Sequence, residues 1–195
     1  MKRRAEVKRK TKETDIEVRV TIEGTGAARA RTGVGFLDHM LHSLATHSLI
    51  DVTVDAKGDL VHHVVEDVAI ALGRAVGQAL GDRTGIRRFG DAMVPMDDAL
   101  ALAAVDLVKR PYSVVDLRLE RVTVEDAPRE DLEHFFGSLA QALEATVHVK
   151  VLEGSNDHHK FEAAVKAFAL ALREAASPDP RRAGSKAPPS SKGSM

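Results

Sequence analysis

Two five-residue segments carry one pattern of metal-binding side chains: His62-His63-Val64-Val65-Glu66 and His158-His159-Lys160-Phe161-Glu162. On a helix of about 3.6 residues per turn, positions i and i+4 share a face, while i and i+1 diverge by roughly 100°. His62 with Glu66, and His158 with Glu162, can therefore each grip one cation. His63 and His159 must point elsewhere, toward a second cation. The duplicated motif thus predicts two ions, each held by one chelating pair plus a histidine borrowed from the other motif. Imidazole with carboxylate suits Mn, Fe, Zn or Ni, and an octahedral ion so held keeps positions open for a substrate. One such segment alone would read equally well as surface histidines, but two copies in register within a repeat do not.

His39 and His134 lie 95 residues apart, close to the 96 that separates the two motifs. Each could complete a site to three histidines and one glutamate. His42 and His148 lack such a partner and read as structural.

The elements that must position these residues follow from apolar spacing. Alternation predicts a strand over Ile16–Ile22, and glycine density predicts a loop over 24–35. Helical spacing then covers Phe36–Thr46. A short strand, Val52–Asp55, ends at the Lys57-Gly58-Asp59 turn. A long helix follows over Val61–Leu80, with Gly81 as its stop. The second half reads as strands over Ala99–Leu107 and Val114–Val124, a helix over Asp131–Thr146, a strand over Val147–Val151, a turn at 153–156 and a helix over His158–Arg173. Val52-Thr53-Val54 matches Val149-Lys150-Val151 at an offset of 97. These offsets read as an internal duplication. The expected class is α+β, two similar halves, each a mixed sheet with two helices on one face. Residues 1–84 would form the first half, 85–176 the second and 177–195 a tail. The tail's Pro, Ser, Lys and Arg content alone predicts disorder.

Composition removes several alternatives. The chain has 195 residues, 44% apolar and 29% charged, with a formal net charge of -1. That balance gives no global reason to expect nucleic acid or an anionic membrane as partner. There is no cysteine, which excludes disulfides, thiolate metal sites and thiol nucleophiles. No apolar run approaches the roughly 20 residues of a bilayer span, and no signal peptide is recognisable, so the expected location is cytoplasmic.

Several ordered segments carry a specific resemblance: Lys12-Glu13-Thr14, Gly35-Phe36-Leu37-Asp38-His39-Met40-Leu41, His62-His63 with Glu66-Asp67, Gly85-Ile86 with Arg88-Phe89-Gly90, Met96-Asp97-Asp98-Ala99-Leu100, Arg110-Pro111-Tyr112, Phe135-Phe136 with Ser138-Leu139, Asn156 with His158-His159 and Glu162, and Ser190-Ser191-Lys192. Together they resemble the imidazoleglycerol-phosphate dehydratase family of histidine biosynthesis, over nearly the whole chain. The resemblance implies the ribosomal protein S5 domain 2-like fold and a homo-oligomer of 24 chains with active sites shared between chains. It also implies two Mn2+ ions per active site. One would take His39, His63, His158 and Glu162; the other would take His62, Glu66, His134 and His159. This division agrees with the helix geometry derived above.

The implied reaction is a hydro-lyase step on a small phosphorylated imidazole. Metal on the ring nitrogens favours an imidazolate that expels the adjacent hydroxyl, giving a diazafulvene-like intermediate. A carboxylate then removes a proton from the next carbon, and the enol becomes imidazole acetol phosphate. Glu13 matches the position for that proton transfer and His47 a substrate-contacting one. Arg88, Arg110, Lys166, Ser190, Ser191 and Lys192 match phosphate contacts, a role suited to guanidinium and ammonium groups. The chain departs from the family at Ser43, where Gln is usual, and at Asp98, where Glu is usual. The rival enzyme class is a dinuclear hydrolase, which needs ions only about 3.5–4 Å apart. A metal-buffering protein would have no use for the phosphate motifs.

Overall fold

The computed structural model describes residues 3–182, 184 and 187–192. The first half runs β1 (Arg4–Lys10), β2 (Thr14–Thr21), β3 (Ala28–Arg31), α1 (Gly35–Ser48), β4 (Asp51–Gly58) and α2 (Val61–Leu80). The second runs β5 (Phe89–Met96), β6 (Ala99–Asp106), β7 (Tyr112–Asp116), a small hairpin of β8 (Thr123–Val124) and β9 (Ala127–Pro128), then α3 (Arg129–Leu143), β10 (Thr146–Glu153) and α4 (Asp157–Ala176). The sheets have orders β1-β2-β4-β3 and β5-β6-β10-β7. In each, the last pair is parallel and the others antiparallel. Two similar α+β halves are therefore present, as the repeat predicts.

Each half leads with three sheet strands, where the apolar pattern shows one in the first half and two in the second. β1 and β5 are edge strands, and edge strands tolerate charge and proline that central strands exclude. β1 buries only Val7 fully, and β5 carries Pro95. β3 hides in the glycine-rich stretch because it is only four residues long. The strand expected over Val114–Val124 shortens to β7, since the chain leaves the sheet at Leu117. The helix expected to reach Thr146 stops at Leu143, where Glu144 turns left-handed (φ 54°). There the buried Arg83 guanidinium donates to the Leu143 and Glu144 carbonyls, closing the helix end. Gly81 does end α2, its N–H bonding back to Gly77 and Gln78. Asp51 and Thr146 open the last strands of the two halves, an offset of 95 in place of the expected 97. A shift of two leaves every strand side chain on the same face.

Offsets between the halves also locate an insertion. Arg4 and Phe89 open the first strands and Thr14 and Ala99 the second, a spacing of 85, but Val61 and Asp157 open the last helices at a spacing of 96. The difference lies after β7, in segment 117–128 with its hairpin.

Both sheets turn one face to the helices. α2 covers β1 and β2, and α4 covers β5 and β6. The other two helices exchange partners: α1, beside β3, packs on α4, and α3, beside β7, packs on α2. Each helix pair thus takes one member from each half. Phe136 of α3 meets Phe161 and Phe168 of α4 at 5.8 and 5.6 Å, and Phe36 of α1 meets Phe161 at 5.6 Å. One continuous apolar core results. No described helix is long and apolar enough to cross a membrane.

Candidate metal and substrate site

The exchange of helices decides which histidines meet. His39 comes from α1, and His158 and Glu162 from α4. His39 Nε2 lies 3.7 Å and His158 Nε2 3.4 Å from the same Glu162 oxygen, Oε2. One ligand atom from each of the three lies within 4.8 Å of the others, the only such group among the described residues. Burial pushes the Glu162 carboxyl up, but Lys166, His39 and His158 outweigh it and hold the group below its ordinary value. It is a carboxylate at neutral pH. The counterpart cluster joins α2 to α3: the His62 and His134 rings lie 6.2 Å apart, with Glu66 one turn beyond His62. Glu66 also lines a cavity of about 880 Å³ that runs between these helices to Arg83 and Glu144.

His63 and His159 belong to neither cluster. His63 Nε2 lies 4.0 Å from Glu13 Oε2, in the turn between β1 and β2. His159 Nε2 lies 3.4 Å from Asp97 Oδ2, in the equivalent turn between β5 and β6. Within one chain each cluster therefore stops at two histidines and a glutamate.

All four motif histidines share a feature that spacing does not reveal. Nδ1 of His62 meets Asp131 at 2.6 Å, His63 meets Asp59 at 2.7 Å, His158 meets Glu125 at 3.0 Å and His159 meets Asp98 at 2.6 Å. A proton on Nδ1 facing a carboxylate leaves the Nε2 lone pair free, the arrangement that orients and strengthens a metal-binding imidazole. The donor set therefore fits a divalent cation. Asp131 raises the His62 pKa and Asp59 that of His63. Asp98 is held far below the usual carboxylate range by the Ser155 N–H, then by His159 and the Asn156 N–H. Among these acids only Asp59 had a local signal, four residues before His63 at a helix start. The others arrive from distant elements.

Candidate substrate residues divide between the first cluster and the opposite end of the second half. His47 and Lys166 lie with the first cluster: Lys166 Nζ is 2.9 Å from Glu162 Oε1 and 3.1 Å from Met96 Sδ. Burial, with the Lys166 charge close by, lowers the His47 pKa against the pull of Glu162. Ser43 is buried in α1, its hydroxyl without a partner. Arg88 sits at the far end of α4, where its N–H bonds Ala175. At about 1.5 Å per residue, that is roughly 25 Å from His158. Its guanidinium is already engaged, with Asp106 at 2.6 and 3.0 Å and with the Pro189 carbonyl at 2.8 Å. It holds the tail, whose Ser190, Ser191 and Lys192 therefore collect at this end, while Gly193 to Met195 lie outside the described residues. Arg110 is here too, its carbonyl accepting from Thr146 Oγ1 at the start of β10.

Residues 32–172 match the family model described as imidazoleglycerol-phosphate dehydratase. A protein of that name from Paracoccus denitrificans is 52% identical over 198 residues, covering 99% of this chain and 100% of the relative. One from Chlorobium phaeovibrioides is 52% identical over 176 residues, 89% of this chain and 88% of the relative. The solved enzyme from Pyrococcus furiosus superposes with a TM-score of 0.83 at 39% identity, covering 97% of this chain and 100% of that one. The Staphylococcus aureus enzyme gives 0.83 at 31% identity, covering 90% and 99%. With paired His-His-x-x-Glu helices, matching fold and matching sequence over most of its length, the chain belongs to the imidazoleglycerol-phosphate dehydratase family.

Proposed function

We propose that the chain dehydrates imidazoleglycerol phosphate to imidazole acetol phosphate as a two-metal enzyme whose sites form between copies. The observation that carries this reading is the pair of incomplete clusters. Each has one imidazole, His158 or His62, whose Nδ1 faces a carboxylate, and the odd histidines, backed in the same way, stand apart at the strand turns. His39, His158 and Glu162 would be completed by His63 of another copy, and His62, Glu66 and His134 by His159. Mn2+ suits this mixed nitrogen and oxygen set, and a closed particle of 24 chains would supply the shared contacts. Bound metal would supply Lewis acidity to the substrate's ring nitrogens, favouring the anionic ring that releases the neighbouring hydroxyl.

The chain's own groups do the rest. Glu13, 57% exposed at its turn and beside His63, would take the proton from the second hydroxyl-bearing carbon. The resulting enol then becomes the ketone. His47, its pKa lowered, would meet the substrate as neutral imidazole. Lys166 would bring positive charge near the first cluster. The tail end, with Arg110, Ser190, Ser191 and Lys192, would receive the phosphate dianion. Because that end lies so far from the clusters of its own chain, it would serve a site whose ligands come from neighbouring copies. Arg88 would act there by holding the tail.

The test is turnover of imidazoleglycerol phosphate by Mn2+-supplemented protein, followed through absorbance of the enolised product. Chelation should abolish turnover and break the particle into smaller oligomers in sedimentation, since ligands from different copies meet at each ion. An unchanged full-size particle after chelation refutes the shared-ligand arrangement.

A further inference from the structure

We infer that the tip of the inserted segment 117–128 is a positioning device for one metal cluster only, setting His39 through Asp126 and His158 through Glu125; this rests on the metal reading above. The first half has no counterpart, as residues 32–34 alone link β3 to α1. The root of the insertion is fastened to α4, the helix of His158 and Glu162. Asp157 Oδ2 accepts from the Glu120 and Arg121 N–H groups at 2.9 and 2.7 Å. Lys160, 1% exposed, donates to the Arg118 carbonyl at 2.8 Å and pairs with Asp157 at 3.0 Å.

Its tip clasps α1, the helix of His39. Val34 offers that helix no side-chain cap. Asp126 takes its place, accepting from the Gly35 and Phe36 N–H groups at 2.6 and 2.9 Å, two of the donors a helix start leaves unpaired. Glu125 meanwhile holds His158 Nδ1 at 3.0 Å. One short segment thus joins the two helices whose side chains form the first cluster. The second cluster is built differently. His62 leans on Asp131, a carboxylate 1% exposed within α3 itself; β9, at the end of the insertion, packs on α2 and α3, but the tip carboxylates Glu125 and Asp126 bond to His158 and to the start of α1. Two clusters that look equivalent in sequence therefore depend on different supports.

The test uses full-length Glu125→Ala/Asp126→Ala and Asp131→Ala, titrated with Mn2+ and read by electron paramagnetic resonance of the free ion. Unfolding of the metal-free proteins is measured in parallel. Wild type should show two ions per chain. The tip variant should lose affinity for one of them by about 10–100-fold, the usual effect of removing an imidazole's outer partner, with the other within twofold. Asp131→Ala should weaken the ion that the tip variant spares. Glu125→Gln/Asp126→Asn should recover most of the loss, because amide oxygens accept the same N–H bonds. A purely structural role would lower the unfolding temperature without separating the two ions. Equal weakening of both ions, or of neither, in the tip variant overturns the inference alone. A wild-type chain that takes up no Mn2+ overturns the metal reading and the inference with it.

Discussion

The two halves share a strand order yet treat their open faces in opposite ways. On the first sheet that face is ionic: Lys8 and Arg19 each pair with both Glu6 and Glu17, and Lys10 pairs with Asp15. Corresponding positions of the second sheet, 85 residues later, hold Asp91, Met93, Pro95, Leu100, Leu102 and Ala104, apolar in all but the first, with Met93 57% exposed. The helix-facing positions are apolar or small in both, apart from Arg9 and Thr14 of the first sheet, which bond the buried Asp67 of α2. The inward half of each strand is enough to specify the topology, and the outward half is free to diverge.

A second contrast lies where the long helices begin. Asp157 and Lys160, buried at the start of α4, correspond at the 96-residue spacing to Val61 and Val64 of α2. The first half needs no ion pair there because it has no insertion to fasten. The turns differ as well. Glu13 is exposed, but its counterpart Asp98, 85 residues later, is held by the Ser155 and Asn156 N–H groups and by His159.

Substitutions can break this comparison one position at a time. The largest expected effect is at the turns. Glu13→Gln should lower kcat by roughly 10²–10⁴, as loss of a general base does, with metal content unchanged. Asp98→Asn should instead reduce metal content, measurable by elemental analysis. A Glu13→Gln enzyme of near-full kcat would make the turns equivalent after all.

Next comes the buried pair. Lys160→Met leaves Asp157 without its cation and should destabilise the fold by about 3–5 kcal/mol, seen in denaturant unfolding. Asp157→Val/Lys160→Val, the first half's solution, should cost less but loosen the insertion in hydrogen exchange. Acid reaches the same joint. Burial pushes the Asp157 carboxyl up, but the Arg121 N–H and Lys160 outweigh it and hold it below its ordinary value. Its contribution is full above the unfolded value of about 3.9 and disappears as pH falls through the lowered folded value. Protection of 118–121 should therefore fail in that acidic window.

A smaller effect is expected where helix meets edge strand. A Cβ at Gly90 of β5 would lie against the Ala171 carbonyl and 2.7 Å from the Ala175 N of α4. The counterpart 85 residues earlier, in β1, is Ala5. Gly90→Ala should cost about 1–3 kcal/mol in thermal unfolding, whereas Ala5→Gly should change it far less.

The smallest concerns the tail, which the first half lacks. Deleting 189–195 should raise KM at least tenfold, about 1.4 kcal/mol, for phosphorylated substrate only. Arg88→Met should reproduce that rise, because Arg88 holds the Pro189 carbonyl. Unchanged KM in both would leave the phosphate to Arg110 and Lys166.

The sequence by itself determined that two ligand motifs exist, that each sits on a helix, and that His62 faces with Glu66 and His158 with Glu162. Those conclusions need only the helical period, a local property. The central strands and the α+β class were legible for the same reason. Edge strands β1 and β5 were not, because an edge tolerates the charge and proline that mask alternation. Only the tertiary structure decided that α1 packs on α4 and α3 on α2, and so which histidine joins which pair. Periodicity says which face of a helix is buried but never against what. The carboxylates behind the imidazoles were hidden likewise: Asp131 and Glu125 stand 69 and 33 residues from the histidines they hold. So was the distance between the tail and the clusters of its own chain. Contacts at that separation are set by packing, which no local pattern encodes.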